Sequence, residues 1–439
     1  MSAADGEATD GANLRPNLPV DGRRLWDDLM ALAAVTEPDR PWTRRAFSPR
    51  FLEGRVFLRR RFEEAGLDCR IDAAGNLVGR LPGTEPGLGT IVIGSHSDTV
   101  PEGGRFDGPA GVLAGLEIAR SLRHRGVRLR HPLEVVDFLA EEPSPYGLSC
   151  IGSRGWAGAL NPEHLDLRDP DGEPLRQGLE RVGGSVENLE DARRTDVAAA
   201  FELHIEQGPV LEAEQIDLGL VTAIAGIRRL RIAFAGAADH AGTTPLPLRR
   251  DAALAAAETI LAVRQEAERG AAAGRGHFVA TSGVVRIEPN AANVVPRAAE
   301  LVVDIRYEDR ALADAFVLAL DAATRNAAER ARVERAAFAV ASDSPPAACD
   351  ERLRRLLGEA AGRLDLSARS MASGAGHDTA YLARIAPAAM IFVPCRGGKS
   401  HVPEEWAEPD AIAAGAACLL EAVLAFDAER SGPPGQRNT

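Results

Sequence analysis

The 439-residue chain carries a single lysine, Lys399; every other strongly basic side chain is Arg. That scarcity reads as compositional bias toward Arg and Ala. Cysteine is sparse and scattered: Cys69, Cys150, Cys349, Cys395 and Cys418 are odd in number and include no C-x-x-C pair. A disulfide framework and a zinc knuckle are thereby excluded, and reduced thiols of a cytoplasmic protein are expected. No apolar run reaches the ~18 residues that span a bilayer, so no membrane segment is expected. Residues 1–17 lack a basic n-region and an apolar h-region, so no signal peptide is expected. The Gly/Pro/polar tail over residues 431–439 is expected to fray. Positive charge is in deficit too. At a net −13 the chain repels phosphate backbones, which argues against a nucleic-acid partner. An anionic ligand must then be held by local Arg groups.

What is present is ample for a large core: 45% of residues are hydrophobic, and the length favours two domains. Helical periodicity covers residues 23–34 and 49–65. Residues 69–81 read as two short strands about the turn Ala74-Gly75-Asn76. Residues 90–94 and 133–139 are short apolar runs of the kind found in buried parallel strands, with a helix pattern over 111–125 between them. This order predicts an α/β layer, in which ligands gather at the carboxyl ends of strands. From about residue 221 to 335 the texture changes. Strand alternation over 230–235, 278–287 and 299–307 is interleaved with helix patterns over 251–269 and 311–333. That order predicts a small ferredoxin-like α+β insert with an antiparallel sheet. Helix, strand and helix patterns over 353–364, 388–392 and 411–426 then return to α/β character. The expected architecture is a mostly parallel-sheet catalytic domain, residues 18–220 and 336–430, interrupted by a lid or dimerisation domain over 221–335.

Seven segments carry candidate chemistry. In Gly94-Ser95-His96-Ser97-Asp98, His96 and Asp98 stand two apart at a strand end and can point toward one site. The Asp98 carboxylate is placed to accept the second N–H of His96, fixing its tautomer. Glycines flank Asp107 in Gly103-Gly104-Arg105-Phe106-Asp107-Gly108 and permit close backbone approach. Asp107 has two oxygens with which to bridge two cations; the competing reading is an ordinary Asp-Gly turn. Glu141 and Glu142 follow an apolar strand. One can ligate a cation while its neighbour carries a proton, because two such carboxylates repel unless a cation or a shared proton relieves them. The alternative is a solvated acidic turn. Glu202, His204 and Glu206 share one strand face, although a lone His there is more often a satisfied core residue. The remaining segments are Asp239-His240-Ala241-Gly242, Gly374-Ala375-Gly376-His377-Asp378 and Lys399-Ser400-His401-Val402-Pro403-Glu404-Glu405. Gly398-Lys399-Ser400 imitates a phosphate loop, but position 393 is Val where the motif demands Gly. Five of nine histidines fall in these segments. A mixed imidazole and carboxylate donor set without cysteine suits Zn, Mn, Co or Ni.

Taken in order, the strings GSHSDTVPEGGRFDGPAGVLAGLE, ELHIEQGPVLE, DHAGTTP, PNAANVVP and SGAGHD resemble the metal-dependent M20 peptidase/amidase superfamily. They are most similar to its hydantoinase/carbamoylase branch, which includes N-carbamoyl-L-amino-acid hydrolases, β-ureidopropionases and allantoate amidohydrolases. The similarity runs from about Arg24 to Trp406. The resemblance implies two divalent cations per subunit, bridged by Asp107, with His96 and His204 completing one position and Glu142 and His401 the other. It implies Glu141 as general base toward the attacking water, with Asp98 in the catalytic group. His240 would stabilise the oxyanion; in relatives this residue comes from the partner subunit, so a homodimer is implied. Asn293 and Arg306 match positions that grip a substrate carboxylate, with Gln207, Arg228 and Gly376 as further candidates. His377 and Asp378 match a family motif without an assigned role.

Two departures stand close to the ligands. The branch continues its acidic pair as E-E-E-G-S-R, whereas this chain reads Glu141-Glu142-Pro143-Ser144-Pro145-Tyr146. Lys399 replaces an apolar residue and would add a positive charge for an acidic substrate. The expected reaction is hydrolysis of an N-carbamoyl-L-amino acid to amino acid, carbon dioxide and ammonia. An allantoate-type, ureidoglycolate-type or β-ureidopropionase reaction is the alternative, and the Arg228-Arg229 pair favours a more polar substrate. ELHIEQG and the Asn293/Arg306 pair speak against a dipeptidase or aminoacylase, and an intact Glu141 with five ligands against a non-catalytic binding protein. All of this requires Asp107 to lie near both His96 and His401; a separation beyond ~10 Å would end it, since carboxylate–metal bonds are about 2 Å long.

Overall fold

Strands built from Val, Ile and Ala without polar alternation need cover on both faces, and three such strands form the centre of this molecule. The computed structural model describes Arg15 and residues 17–429. The expectations for residues 1–14 and 431–439 lie outside the described residues. The chain folds as two compact units. The first holds the described residues up to Thr222, Cys349–Met371 and those from His377 onward; the second holds Ala223–Ala348 and Ala372–Gly376.

Strands β1 (Asp68–Ile71), β2 (Leu77–Leu81), β3 (Thr90–His96), β4 (Leu133–Phe138), β5 (Val197–Ile205) and β6 (Leu218–Ile224) come first in the chain. After them come β7 (Gly226–Ala235), β8 (Phe278–Glu288), β9 (Ala298–Tyr307), β10 (Glu334–Ser344), β11 (Ala347–Ala348), β12 (Ala368–Ser373) and β13 (Ala388–Val393). The larger sheet runs β1-β2-β4-β3-β5-β13-β6. Its four central strands, β4, β3, β5 and β13, are parallel, and the flanking pairs are antiparallel. Every residue of β3, β4 and β13 is buried. Two acids inside β4 tolerate this because arginines meet them: Glu134 faces Arg70, Arg80 and Arg194, and Asp137 faces Arg55. Unpaired, such charges would be costly to bury.

The helix Pro109–His124 starts on a proline at its first turn, where a missing N–H costs nothing. Gly108 before it has φ 83°, and a Cβ there would fall 2.4 Å from the His96 ring, so only glycine lets this loop pass the histidine. The helix Pro409–Ala428 is, by length and composition alone, long and apolar enough to cross a membrane, with mean hydropathy 1.8 over its best 18-residue window. Of that window 72% is buried, and the helix packs on Pro109–His124 and Glu351–Arg363 as a core helix. Near its end, the Asp427 carboxylate accepts the Arg130 and His131 amides.

The second unit follows the order β-α-β-β-α-β. Its sheet, β10-β7-β9-β8, is antiparallel throughout. Burial alternates strictly along β9, the mark of a sheet covered on one face. The helices Ala252–Ala272 and Arg310–Ala331 supply that cover over a core of Leu230, Ile232, Phe234, Leu301, Val303 and Phe316. This unit extends past the expected boundary at residue 335 because β10 crosses it. Most of β10 beyond its centre is exposed, so it offers little apolar alternation to read, yet it pairs β7 from end to end.

Candidate active site

The four parallel strands point their carboxyl ends at one place. His96 is the last residue of β3 and His204 the penultimate residue of β5. Glu141 and Glu142 follow β4, and His401 follows β13 in a loop. Asp107 stands in the loop between β3 and its helix. Asp107 Oδ1 lies 3.6 Å from His96 Nε2 and 3.2 Å from His204 Nε2. Asp107 Oδ2 lies 3.4 Å from His401 Nε2, which is itself 3.0 Å from Glu142 Oε1. The two oxygens of one carboxylate thus face two different ligand groups: His96/Asp107/His204, and Asp107/Glu142/His401. Donors ~2.1 Å from a tetrahedral cation stand roughly 3.4 Å apart, which is the spacing found here.

The imidazole tautomers support the same reading. His96 Nδ1 contacts the Asp98 backbone oxygen at 3.0 Å, and His204 Nδ1 contacts the Ile205 oxygen at 3.0 Å. Each carbonyl can only accept, so each Nδ1 carries the proton and each Nε2 presents a lone pair. Both Nε2 atoms are buried and have no hydrogen-bond partner among the described residues. A lone pair facing a carboxylate is repulsive until a proton or a cation comes between them. Burial opposes charge on His96 and His204, yet the carboxylates outweigh it: Asp107 raises both pKa values, with Asp98 and Glu141 adding at His96. Beside Asp107 and then Glu142, His401 is pushed up to about 11. Burial works against the Asp107 charge, but His204, His401 and His96 hold its carboxyl well below the ordinary range. The buried His, Asp and Glu groups fit a dinuclear divalent-metal site, and no thiol is needed among the donors.

Glu141 is the carboxylate left beside this set. Its Oε2 lies 3.6 Å from His96 Nε2. Burial raises its pKa; His96 counters this, and Glu142, Asp378 and Asp98 add to it. A buried carboxyl with a raised pKa, next to side chains that could hold a cation, is equipped to take and return a proton. The expected contact between the Asp98 carboxylate and His96 is replaced: the Asp98 backbone oxygen takes the Nδ1–H, and the carboxylate stands 3.6 Å off. The carboxylate oxygens instead accept the Glu141 and Glu142 amides, each at 3.3 Å, because the chain turns sharply at Ala140 (φ 53°) and aims both amides back at β3.

The other predicted residues divide between the units. Gln207 Nε2 donates to Asp107 Oδ2 at 2.6 Å, which puts it against the ligand set. His240 and Asn293 are exposed and lie on paired segments of the second unit: Ala241 N donates to Asn293 O, and His240 bridges Val294. His240 Nδ1 accepts from the Gly242 and Thr243 amides, so its proton sits on Nε2 as an outward donor. Arg306 Nε donates to Asp304 Oδ1, and Nη1 donates to the Gly374 oxygen. Gly376 is exposed with open space where a Cβ would be. Arg228 departs from the expectation of a substrate contact. It is 5% exposed, its two terminal nitrogens donate to Asp314 and Asp343, and its guanidinium packs on Tyr307. Lys399 is exposed. Tyr146, in the altered segment after Glu142, donates to Glu173 and packs edge-on against Phe47. The His377 ring packs edge-on against His204 at 4.6 Å, and Asp378 accepts from Ser153 Oγ.

Sequence reasoning assigned nothing to Glu202, Cys150 or Glu405. Glu202 accepts from Ser95 Oγ and from both the amide and hydroxyl of Thr379, which braces β5 behind His204. Cys150 Sγ lies 3.6 Å from Glu141 Oε1. Glu405 accepts the Phe106 and Asp107 amides. Its place four residues after His401 was visible in the sequence; its partners, some 300 positions away, were not.

The profile of peptidase family M20/M25/M40 matches residues 92–425. The chain is 38% identical over 407 residues to an N-carbamoyl-L-amino acid amidohydrolase of Geobacillus stearothermophilus, covering 92% of this chain and 98% of that one. It is 35% identical over 416 residues to a ureidoglycolate hydrolase of Arabidopsis thaliana, covering 93% and 87%. A crystal structure of a hydantoinase/carbamoylase-family amidase from Burkholderia multivorans superposes with TM-score 0.88 at 37% identity, covering 95% of this chain and all of that one. With strand ends, ligand spacing and sequence in agreement, the chain belongs to the M20/M25/M40 family and, within it, to the hydantoinase/carbamoylase branch of amidohydrolases, hydrolases acting on C–N bonds.

Proposed function

We propose that this protein is an N-carbamoyl-L-amino-acid amidohydrolase working with two divalent cations per subunit, zinc or one of manganese, cobalt and nickel. The observation that carries the reading is Asp107, whose oxygens face two separate ligand groups with the Glu141 carboxylate alongside. Cations bound there supply electrophilic activation of a resonance-stabilised ureido carbonyl and lower the pKa of water from ~16 to about 7. Glu141 takes the proton of the attacking water and returns it to the departing nitrogen. His240, supplied by a second copy of the chain, donates its Nε2–H to the oxygen that gains charge. Arg306 and Asn293 hold the substrate carboxylate, for which the planar Arg fork is suited.

Homodimer formation draws support from the second unit taken alone. β8 is an edge strand with Val279, Val284 and Val285 exposed, and Leu254 and Leu261 are exposed on the helix Ala252–Ala272. Unpaired edges and apolar patches of this kind mark association surfaces. A ureidoglycolate- or allantoate-type substrate is the second reading, favoured by an identity to the plant ureidoglycolate hydrolase only a little below that to the carbamoylase. A cytoplasmic setting accords with cysteines that are all free. The test is turnover by metal-stripped and metal-restored protein, read as ammonia release for N-carbamoyl-L-amino acids, N-carbamoyl-β-alanine, allantoate and ureidoglycolate, and as free amino acids for dipeptides. Turnover of carbamoyl-amino acids above the rest is expected. Preference for ureidoglycolate or allantoate would install the second reading, and dipeptide turnover alone would sink both.

A further inference from the structure

Glu405 carries a fully buried carboxyl group that forms no salt bridge among the described residues. Its Oε1 accepts the amides of Phe106 (2.7 Å) and Asp107 (3.1 Å), and its Oε2 meets Ser400 Oγ at 3.0 Å. Ser400 Oγ in turn donates to Asp107 Oδ2, the oxygen that faces His401. The carboxyl group occupies space that a side chain at position 104 would fill, since a Cβ on Gly104 would lie 2.0 Å from the Glu405 carboxyl carbon. Burying a carboxyl group is costly unless its oxygens are satisfied. Ser400 has a single O–H, which goes to Asp107 Oδ2, so the contact with Oε2 is made by a proton on Oε2. All partners of the Glu405 carboxyl belong to the two loops that carry Asp107 and His401.

The two ligand groups need such help unequally. His96 and His204 lie on β3 and β5, nearly unexposed, with their Nδ1 atoms pinned by backbone oxygens. His401 rides on a loop, has a side chain 46% exposed, and sits in a left-handed conformation at φ 59°. Sites on strands are held more tightly than sites on loops. Resting on the two-cation reading above, we infer that Glu405 is a positioning residue that acts through Ser400 to hold the open Asp107/Glu142/His401 cation position, while the strand-borne His96/His204 position stands without it. The Asp107 carboxylate is fixed at its backbone by Glu405 and at Oδ2 by Ser400 and Gln207. Loss of the Glu405 brace loosens the His401 loop and leaves Oδ2 with Gln207 alone, while Oδ1 still faces two fixed imidazoles.

The test is a titration of cation-free full-length protein with Mn2+ against a competing chelator, with bound equivalents counted by elemental analysis. Wild type is expected to bind two equivalents. Glu405→Leu is expected to keep one at wild-type affinity and to bind the other about 10- to 100-fold more weakly, the range typical of lost outer-shell partners. Glu405→Gln still offers an oxygen to the two amides and an N–H to Ser400, and should restore most of the lost affinity. Ser400→Ala removes one half-buried hydroxyl and should weaken the same equivalent. A folded Glu405→Leu that holds both equivalents unchanged, or weakens both alike, overturns the inference. Should Glu405→Leu fail to fold, Ser400→Ala with two unchanged equivalents overturns it equally. Wild type that binds fewer than two equivalents at saturation defeats the two-cation reading itself, a result distinct from unaffected variants beside a two-equivalent wild type.

Discussion

The two units carry their polar chemistry in opposite ways. In the parallel-sheet unit, His96, Asp107, Glu141, Glu142 and His204 are each 8% exposed or less, crowded together with lone pairs facing carboxylates. In the four-stranded unit, His240 and Asn293 lie open, and His240 has its tautomer already fixed by two amides. A buried set that repels itself is completed by cations; an exposed donor with a set proton is completed by a ligand. Variants in the first unit should therefore reach cation binding or proton transfer, and variants in the second should reach kinetics with cation content intact.

The largest separation is expected at Glu141. Glu141→Gln keeps the shape and removes the base, so kcat should fall by roughly 10²- to 10⁴-fold while two cations stay bound. Elemental analysis beside steady-state kinetics reads both at once, and loss of a cation would move Glu141 into the ligand set. His240→Ala is expected to lower kcat by on the order of 10²- to 10³-fold, again with both cations present. A drop in cation content there would break the division between the units.

Affinity for cations should also rise with pH. The His401 pKa is pushed up to about 11 by Asp107 and Glu142, and the carboxylates raise those of His96 and His204 as well, so cations compete with protons for these imidazoles. Each proton displaced makes binding about tenfold tighter per pH unit below the relevant pKa. Chelator competition between pH 6 and 8 measures the slope, and a flat profile would mean that no ligand proton is displaced. The same series on His240→Ala should give an unchanged slope.

How much of this could be read from the chain follows from distance. His96 at the end of an apolar run and Glu141-Glu142 after another were legible because a buried parallel strand announces itself locally and active groups gather at its carboxyl end. The β-α-β-β-α order of the second unit was legible for a different reason, the alternation that marks a sheet covered on one face, whereas β10, largely exposed, carried no such pattern. Glu405 was invisible because its function lies in two amides some 300 positions away. The Asp98 carboxylate was misplaced because an H-x-D spacing cannot tell a side-chain acceptor from the backbone carbonyl next to it.

Two arginines of the second unit make a finer comparison. Arg306 sets all three guanidinium nitrogens on Asp304 and the Gly374 oxygen, yet its side chain remains 25% exposed. Arg306→Lys loses the planar fork, so KM should rise about tenfold with kcat little changed.

Arg228 was a candidate for the same task, but its side chain is only 6% exposed and both its terminal nitrogens are held by carboxylates. Arg228→Met fills the same volume without the charge. Asp343 would still have Tyr307 and Arg310, and Asp314 is largely exposed, so neither carboxylate is stranded. The expected cost is therefore roughly 1–3 kcal/mol of stability, with KM unchanged. At about 2–4 °C per kcal/mol this is a small but measurable fall in Tm. A raised KM at constant Tm would return Arg228 to the substrate and show that its ion pairs open when ligand arrives.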